Sequence, residues 1–126
     1  MKKEVITTKD APDAIGTYSQ AIKCDRTVYL SGQIPLAPGT GQMISGDFEA
    51  QTRQVFANLG AVAKAAGGDL NSAVKFNVYL TDLNNFTIVN RVMEECLRAP
   101  YPARAAVQVA ALPKDAAVEV DAVLVI

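Results

Sequence analysis

The C-terminal run AVEVDAVLVI (117–126) narrows the possible folds more than any other stretch of this chain. Its period of two sends Val118, Val120, Ala122, Leu124 and Ile126 to one side and Ala117, Glu119, Asp121, Val123 and Val125 to the other. A strand with one wet face would be polar along its second side, whereas Val123 and Val125 keep this one apolar. AVKFNVYLT (73–81) alternates as regularly, with Val74, Phe76, Val78 and Leu80 opposite Lys75, Asn77 and Tyr79. The fold must therefore supply cover for a sheet with much apolar surface.

Two helices are available for that cover. The first is expected over 48–66, with Asp47 as N-cap, Val55, Leu59, Val62 and Ala66 as its stripe, and Gly67-Gly68 as the stop. The second is expected over 83–97, capped by Thr81 or Asp82, with Phe86, Val89, Met93, Cys96 and Leu97 as its apolar face and Pro100 and Pro102 beyond it. Strands are expected at 3–8, at the end of 11–25, from 27 towards 36, at 103–111 and at 117–126. The order β-β-β-α-β-α-β-β implies an α+β fold, a single sheet with both helices on one face. Two helices cover one side only, so the other side is expected to be buried against further copies of the chain.

At 126 residues the chain is read as one domain, 1–126, and half of its residues are apolar. The formal net charge of −1 lacks the basic footprint of a nucleic-acid binder. The N-terminus MKKEVITTKD has no apolar run after its lysines, and no stretch is apolar enough to span a bilayer, so a cytoplasmic location without membrane contact is expected. Cys24 and Cys96 match no metal or CxxC spacing and read as unpaired small core hydrophobes. The chain has no histidine, which removes His-based triads, His general bases and most transition-metal sites. No metal or cofactor is expected, and chemistry falls to carboxylates, hydroxyls, arginine, backbone groups and water.

Arg104 draws attention first. In PYPARAAVQVAAL (100–112) it is the lone charge of what reads as a buried strand, sharing a face with Ala106, Gln108 and Ala110. A guanidinium beside such small neighbours suits two-point capture of a carboxylate, either from a ligand or from Glu119 or Asp121 of the protein. Glu119 and Asp121 share a partly dry strand face; burial would raise the pKa of either and fit it for proton transfer, the alternative being a solvated strand end. Asn90 interrupts the apolar stripe of the second helix, so its amide must be satisfied, either by a ligand or by tying down a nearby loop. Tyr18 and Ser31 stand at loop and strand edges beside glycines. The loop APGTG (37–41) lacks the GK[ST] of a phosphate-binding loop.

Four ordered motifs, APDAIGTYSQAI, YLSGQIPL, YLTDLNNFTIVN and YPARAAVQVAALPKDAAVEVDAV, span nearly the whole chain. Together they resemble the RidA/YjgF family of reactive imine/enamine deaminases, formerly labelled endoribonuclease L-PSP. The resemblance implies a chorismate-mutase-like fold and a homotrimer around a central barrel, with sites in the clefts between subunits. It implies hydrolysis of 2-iminobutanoate and 2-iminopropanoate, released by pyridoxal-phosphate enzymes, to 2-keto acids and ammonia. Within that reading Arg104 clamps the substrate carboxylate with help from the Ala106 amide, and Glu119 handles water. Tyr18, Ser31, Gly32 and Asn90 shape the pocket. A non-catalytic keto-acid-binding or chaperone-like module and an endoribonuclease are the competing functions. The chain departs from the family pattern in Ala105-Ala106, where many members have Ser-Cys, and in Thr17, where proline is common.

Overall fold

A computed structural model of the protein describes residues 2–126. Strands β1 (Lys3–Ile6), β2 (Ala21–Cys24), β3 (Thr27–Gln33), β4 (Ala73–Leu80), β5 (Ala103–Gln108) and β6 (Val118–Val125) form one sheet, ordered β1-β2-β3-β6-β4-β5. All neighbours are antiparallel except β4 and β5, which are parallel. Helix α2 (Phe86–Cys96) makes the crossover between those two, as a parallel connection requires, and α1 (Phe48–Ala65) packs beside it on the same face. The chain is thus α+β, as its strand and helix periods imply. No helix among the described residues is long and apolar enough to cross a membrane.

The helix limits follow from local chemistry. The Asp47 carboxylate accepts the Ala50 N–H at 2.9 Å and starts α1. At its end Gly67 takes φ +100°, and the Gly67 and Gly68 amides donate to Lys64 and Ala63. This paired closure needs a residue tolerant of the left-handed region. The first turn expected of the second helix is a separate one-turn 3-10 helix, Leu83–Asn85, capped by Asp82 onto the Asn84 N–H at 2.9 Å. The strand expected over 103–111 stops at Gln108. Beyond it β4 has ended, and the Val109 N–H donates to the Leu80 carbonyl at 2.8 Å, the last rung of that ladder.

The core lies between the sheet and the helices. Val118, Val120, Ala122 and Leu124 of β6 are all buried there, and the Phe56 and Phe76 rings meet edge to face at 5.8 Å. Val74, expected beside Phe76, is exposed, because the register of β4 against β6 slips between Ala73 and Lys75 and Ala73 takes the inward position. Cys96 packs at the margin of this core, but Cys24 stands outside it, contrary to expectation; both thiols are half-buried and unpaired. Buried polar groups brace the loops. The Asn58 amide donates to the Leu36 carbonyl at 2.9 Å, and the Gln20 amide donates to the Thr8 and Pro12 carbonyls while accepting the Thr8 N–H.

Among the described residues no helix covers the second face of the sheet. Val5, Ile22, Tyr29 and Val123 lie in register across four strands there, with Val5 and Tyr29 exposed. Phe76→Ala should lower the unfolding free energy by about 3–5 kcal/mol, the usual loss for an aromatic deleted from a packed core. Urea unfolding at fixed protein concentration measures it, and a loss below 1.5 kcal/mol would contradict the placement of Phe76 at the centre of the core.

Candidate functional site

The strand ladders decide which residues can meet. Arg104 is in register with Phe76 and Ala106 with Val78, so both side chains lie on the helix face of the sheet. Glu119 is in register with Tyr79 and Asp121 with Asn77, which places both carboxylates on the opposite, open face. The ion pair of Arg104 with Glu119 or Asp121 weighed from the sequence is therefore not formed, because the sheet stands between the partners. The expectation of a buried strand around Arg104 is also corrected. β5 is an edge strand, and within one chain Arg104 and both flanking alanines are exposed.

Arg104 is held from one side. Its guanidinium lies over the Phe86 ring, 4.6 Å from the centroid, and Nη1 donates to the Asn90 side-chain oxygen at 2.8 Å and to the Met93 sulfur at 3.8 Å. No carboxylate among the described residues lies within 4.0 Å of it. Asn90 is half-buried, and its amide ties down the arginine rather than a loop. The cation is thus oriented by neutral groups and keeps its charge for something else. Arg104 lines a cavity of about 250 Å³ together with Leu97, Tyr101 and Pro102. N–H groups alternate in direction along a strand, and Val109 donates towards β4. The Ala106 N–H accordingly points outward along the free edge, on the same strand as Arg104.

Glu119 sits at a second cleft, of about 510 Å³, with Tyr18, Gly32 and Lys114 on its walls. The two carboxylates of β6 differ sharply. Both Asp121 oxygens are occupied, one by the Asn77 amide at 2.8 Å and the other by the Tyr79 hydroxyl at 3.0 Å. Glu119 accepts no such hydrogen bond among the described residues. Burial first, and the negative charge of Asp121 second, push its carboxyl above the ordinary glutamate range. Tyr79 is likewise raised, by burial and by its bond to Asp121.

Gly32 makes this arrangement possible. Between Leu30 and Gln33 the β3–β6 register shifts, so Ser31 and Gly32 bulge opposite Asp121. A Cβ on Gly32 would lie 2.1 Å from the Glu119 carboxylate oxygen. The missing side chain is the room the carboxylate uses. The Ser31 hydroxyl donates to the Ser19 carbonyl at 2.6 Å and its N–H to Gln20 at 3.0 Å, which pins the loop carrying Tyr18. The seven candidate residues therefore form two groups: Arg104, Asn90 and Ala106 at the β5 edge, and Tyr18, Gly32 and Glu119 at the open-face cleft, with Ser31 beside Gly32 in the bulge but not on the cleft wall. Phe86 and Met93 read as core from their helical spacing. Only the structure reveals that they carry the arginine.

Comparison with known proteins gives one consistent picture. The family model described as Endoribonuclease L-PSP matches residues 8–126. The human 2-iminobutanoate/2-iminopropanoate deaminase is 46% identical over 123 residues, covering 98% of this chain and 90% of that protein. Among solved structures, RidA from the Antarctic bacterium Psychrobacter sp. matches with TM-score 0.94 and 54% identity over 98% of this chain and 99% of its own. Escherichia coli TdcF with bound serine matches with TM-score 0.91 and 41% identity, covering 98% of this chain and 99% of its own.

The raised Glu119 pKa has a consequence for stability. The folded carboxyl holds its proton more tightly than the unfolded one, so stability falls as pH rises through the unfolded-state value and levels off above the folded one. Glu119→Gln removes that loss. Its unfolding free energy should exceed wild type at neutral pH, and the two should converge below about pH 4. Denaturant titrations at both pH values measure this; a variant less stable than wild type at neutral pH would contradict the unpaired, partly dry carboxylate.

Proposed function

The chain belongs to the RidA/YjgF family, the endoribonuclease L-PSP family of the matching model, and from that membership we propose that it hydrolyses small 2-imino acids to 2-keto acids and ammonia. The observation that carries this reading is the Arg104 guanidinium, held in place by Phe86, Asn90 and Met93 yet unpaired with any carboxylate of the described residues. A substrate carboxylate completes it, bonded to the free donors of the fork and to the outward Ala106 N–H. The serine bound to TdcF and the imino acids in the human relative's name share a carboxylate beside a nitrogen-bearing carbon, the feature such a clamp would grip.

In the proposed reaction the imine carbon is already electrophilic, so positioning and one proton acceptor suffice. Glu119 takes a proton from water as its oxygen adds to the C=N carbon. That proton passes to nitrogen and gives the carbinolamine; the carboxylate then carries the hydroxyl proton to nitrogen as well, the C–N bond breaks, and ammonia leaves as the C=O forms. A carboxyl held above the ordinary range is matched to that exchange better than an ordinary glutamate. Tyr18 and Gly32 bound the cleft around it, and Ser31 holds the loop that carries Tyr18.

Arg104 and Glu119 lie on opposite faces of one sheet, so a small substrate reaches both only where two copies meet. The β5 edge of one copy would then abut the Glu119 cleft of the next. These are different patches, and such heterologous contacts close into rings. A homotrimer is the ring this reading adopts, and the uncovered row Val5, Ile22, Tyr29 and Val123 gives it an apolar surface to bury.

A serine or threonine dehydratase coupled to this protein, with keto-acid and ammonia formation followed over time, tests the reading. Wild type should accelerate hydrolysis above background, and Arg104→Ala should lose at least about a hundredfold in kcat/KM with its oligomer intact. Gly32→Ala should lose turnover while still binding 2-oxobutanoate, because the added methyl evicts Glu119 and leaves the clamp alone. Near-normal hydrolysis by folded Arg104→Ala would overturn the clamp. Keto-acid binding by wild type without acceleration would indicate a binding module instead.

A further inference from the structure

Arg104 is steered by an amide, and an amide can face either way. Its oxygen must point at the guanidinium for the 2.8 Å bond to exist; turned over, Asn90 would present donors to a donor. One turn further along α2, the Glu94 carboxylate accepts from the Asn90 amide nitrogen at 3.1 Å. An ionised carboxylate only accepts, so it draws the NH2 towards itself and leaves the oxygen for Arg104. Glu94 lines the same cavity as Arg104, yet reaches it through the amide and forms no ion pair with it. A carboxylate directly on the guanidinium would neutralise the cation. Passed through a neutral amide, it orients the cation and leaves its charge free.

We propose that Glu94 is a positioning residue for the carboxylate clamp: its hydrogen bond to the Asn90 amide nitrogen fixes the amide so that its oxygen holds Arg104 in place. The proposal rests on Arg104 being the carboxylate-binding group. It separates the hydrogen-bonding role of Glu94 from its charge, because a glutamine at the position still presents an accepting carbonyl. A lysine presents only donors and draws the amide oxygen away from Arg104.

Full-length Glu94→Gln, Glu94→Ala and Glu94→Lys test it through three measurements: the Kd for 2-oxobutanoate by calorimetry, KM and kcat in the dehydratase-coupled assay, and the NMR signals of the Asn90 side-chain amide in the ligand-free protein. Glu94→Gln should match wild type in all three. Glu94→Ala should raise Kd and KM about threefold and Glu94→Lys about tenfold, with kcat held, a range set by the loss of one hydrogen bond against its inversion. Unchanged Kd in the alanine and lysine variants, or a glutamine variant as impaired as alanine, would overturn the proposal. If wild type binds no keto acid, the functional reading fails, and the amide signals still decide the relay. Movement in the alanine and lysine variants, with none in glutamine, supports it; no movement in any overturns it.

Discussion

A β-strand sends successive side chains to opposite faces of its sheet, and in this protein that rule separates the two groups with the greatest chemical leverage. Arg104 follows the register of Phe76 to the helix side; Glu119 follows Tyr79 to the open side. The rest of the structure acts on this separation. Helix α2 reaches over the free edge to carry the arginine on Phe86 and Asn90, while the bulge at Ser31 and Gly32 opens a place for the carboxylate on the far face. Neither group is paired with an opposite charge among the described residues.

The two carboxylates of β6 show how environment divides like residues. They are two positions apart on one face, yet Asp121 has both oxygens bonded, to Asn77 and Tyr79, whereas Glu119 is partly dry and repelled by Asp121. Hydrogen bonds fix the first in place; burial makes the second a better proton acceptor. A fully bonded carboxylate and an unbonded one thus come from the same local sequence.

Much of the framework was legible in the residues. The period of two in 118–125, the Asp47 cap, the Gly67 stop and the shared face of Arg104 and Ala106 all appear as read, because each rests on contacts a few residues apart. What escaped depends on distant pairing. Period two does not distinguish an edge strand from a central one, so β5 reads as buried although its flank is free. The parallel partnership of β5 with β4 fixes which element lies over Arg104, and only that partnership turns Phe86 and Met93 from core residues into its supports. Val74 was misplaced by a register slip that alternation alone does not reveal. Among the candidate residues, the types drew attention to Arg104 and Glu119, and their division between two faces became visible only in the assembled sheet.

Subunit complementation tests the central claim most directly. Arg104→Ala and Glu119→Gln proteins, each inactive alone, are denatured together, refolded, and shown by native mass spectrometry to form mixed oligomers. If the reacting groups come from different copies of a ring, the mixture should recover up to about one quarter of wild-type hydrolysis, the statistical share of junctions that draw an intact arginine and an intact glutamate from opposite variants. Mixed oligomers no more active than their parents would contradict a site built across two faces.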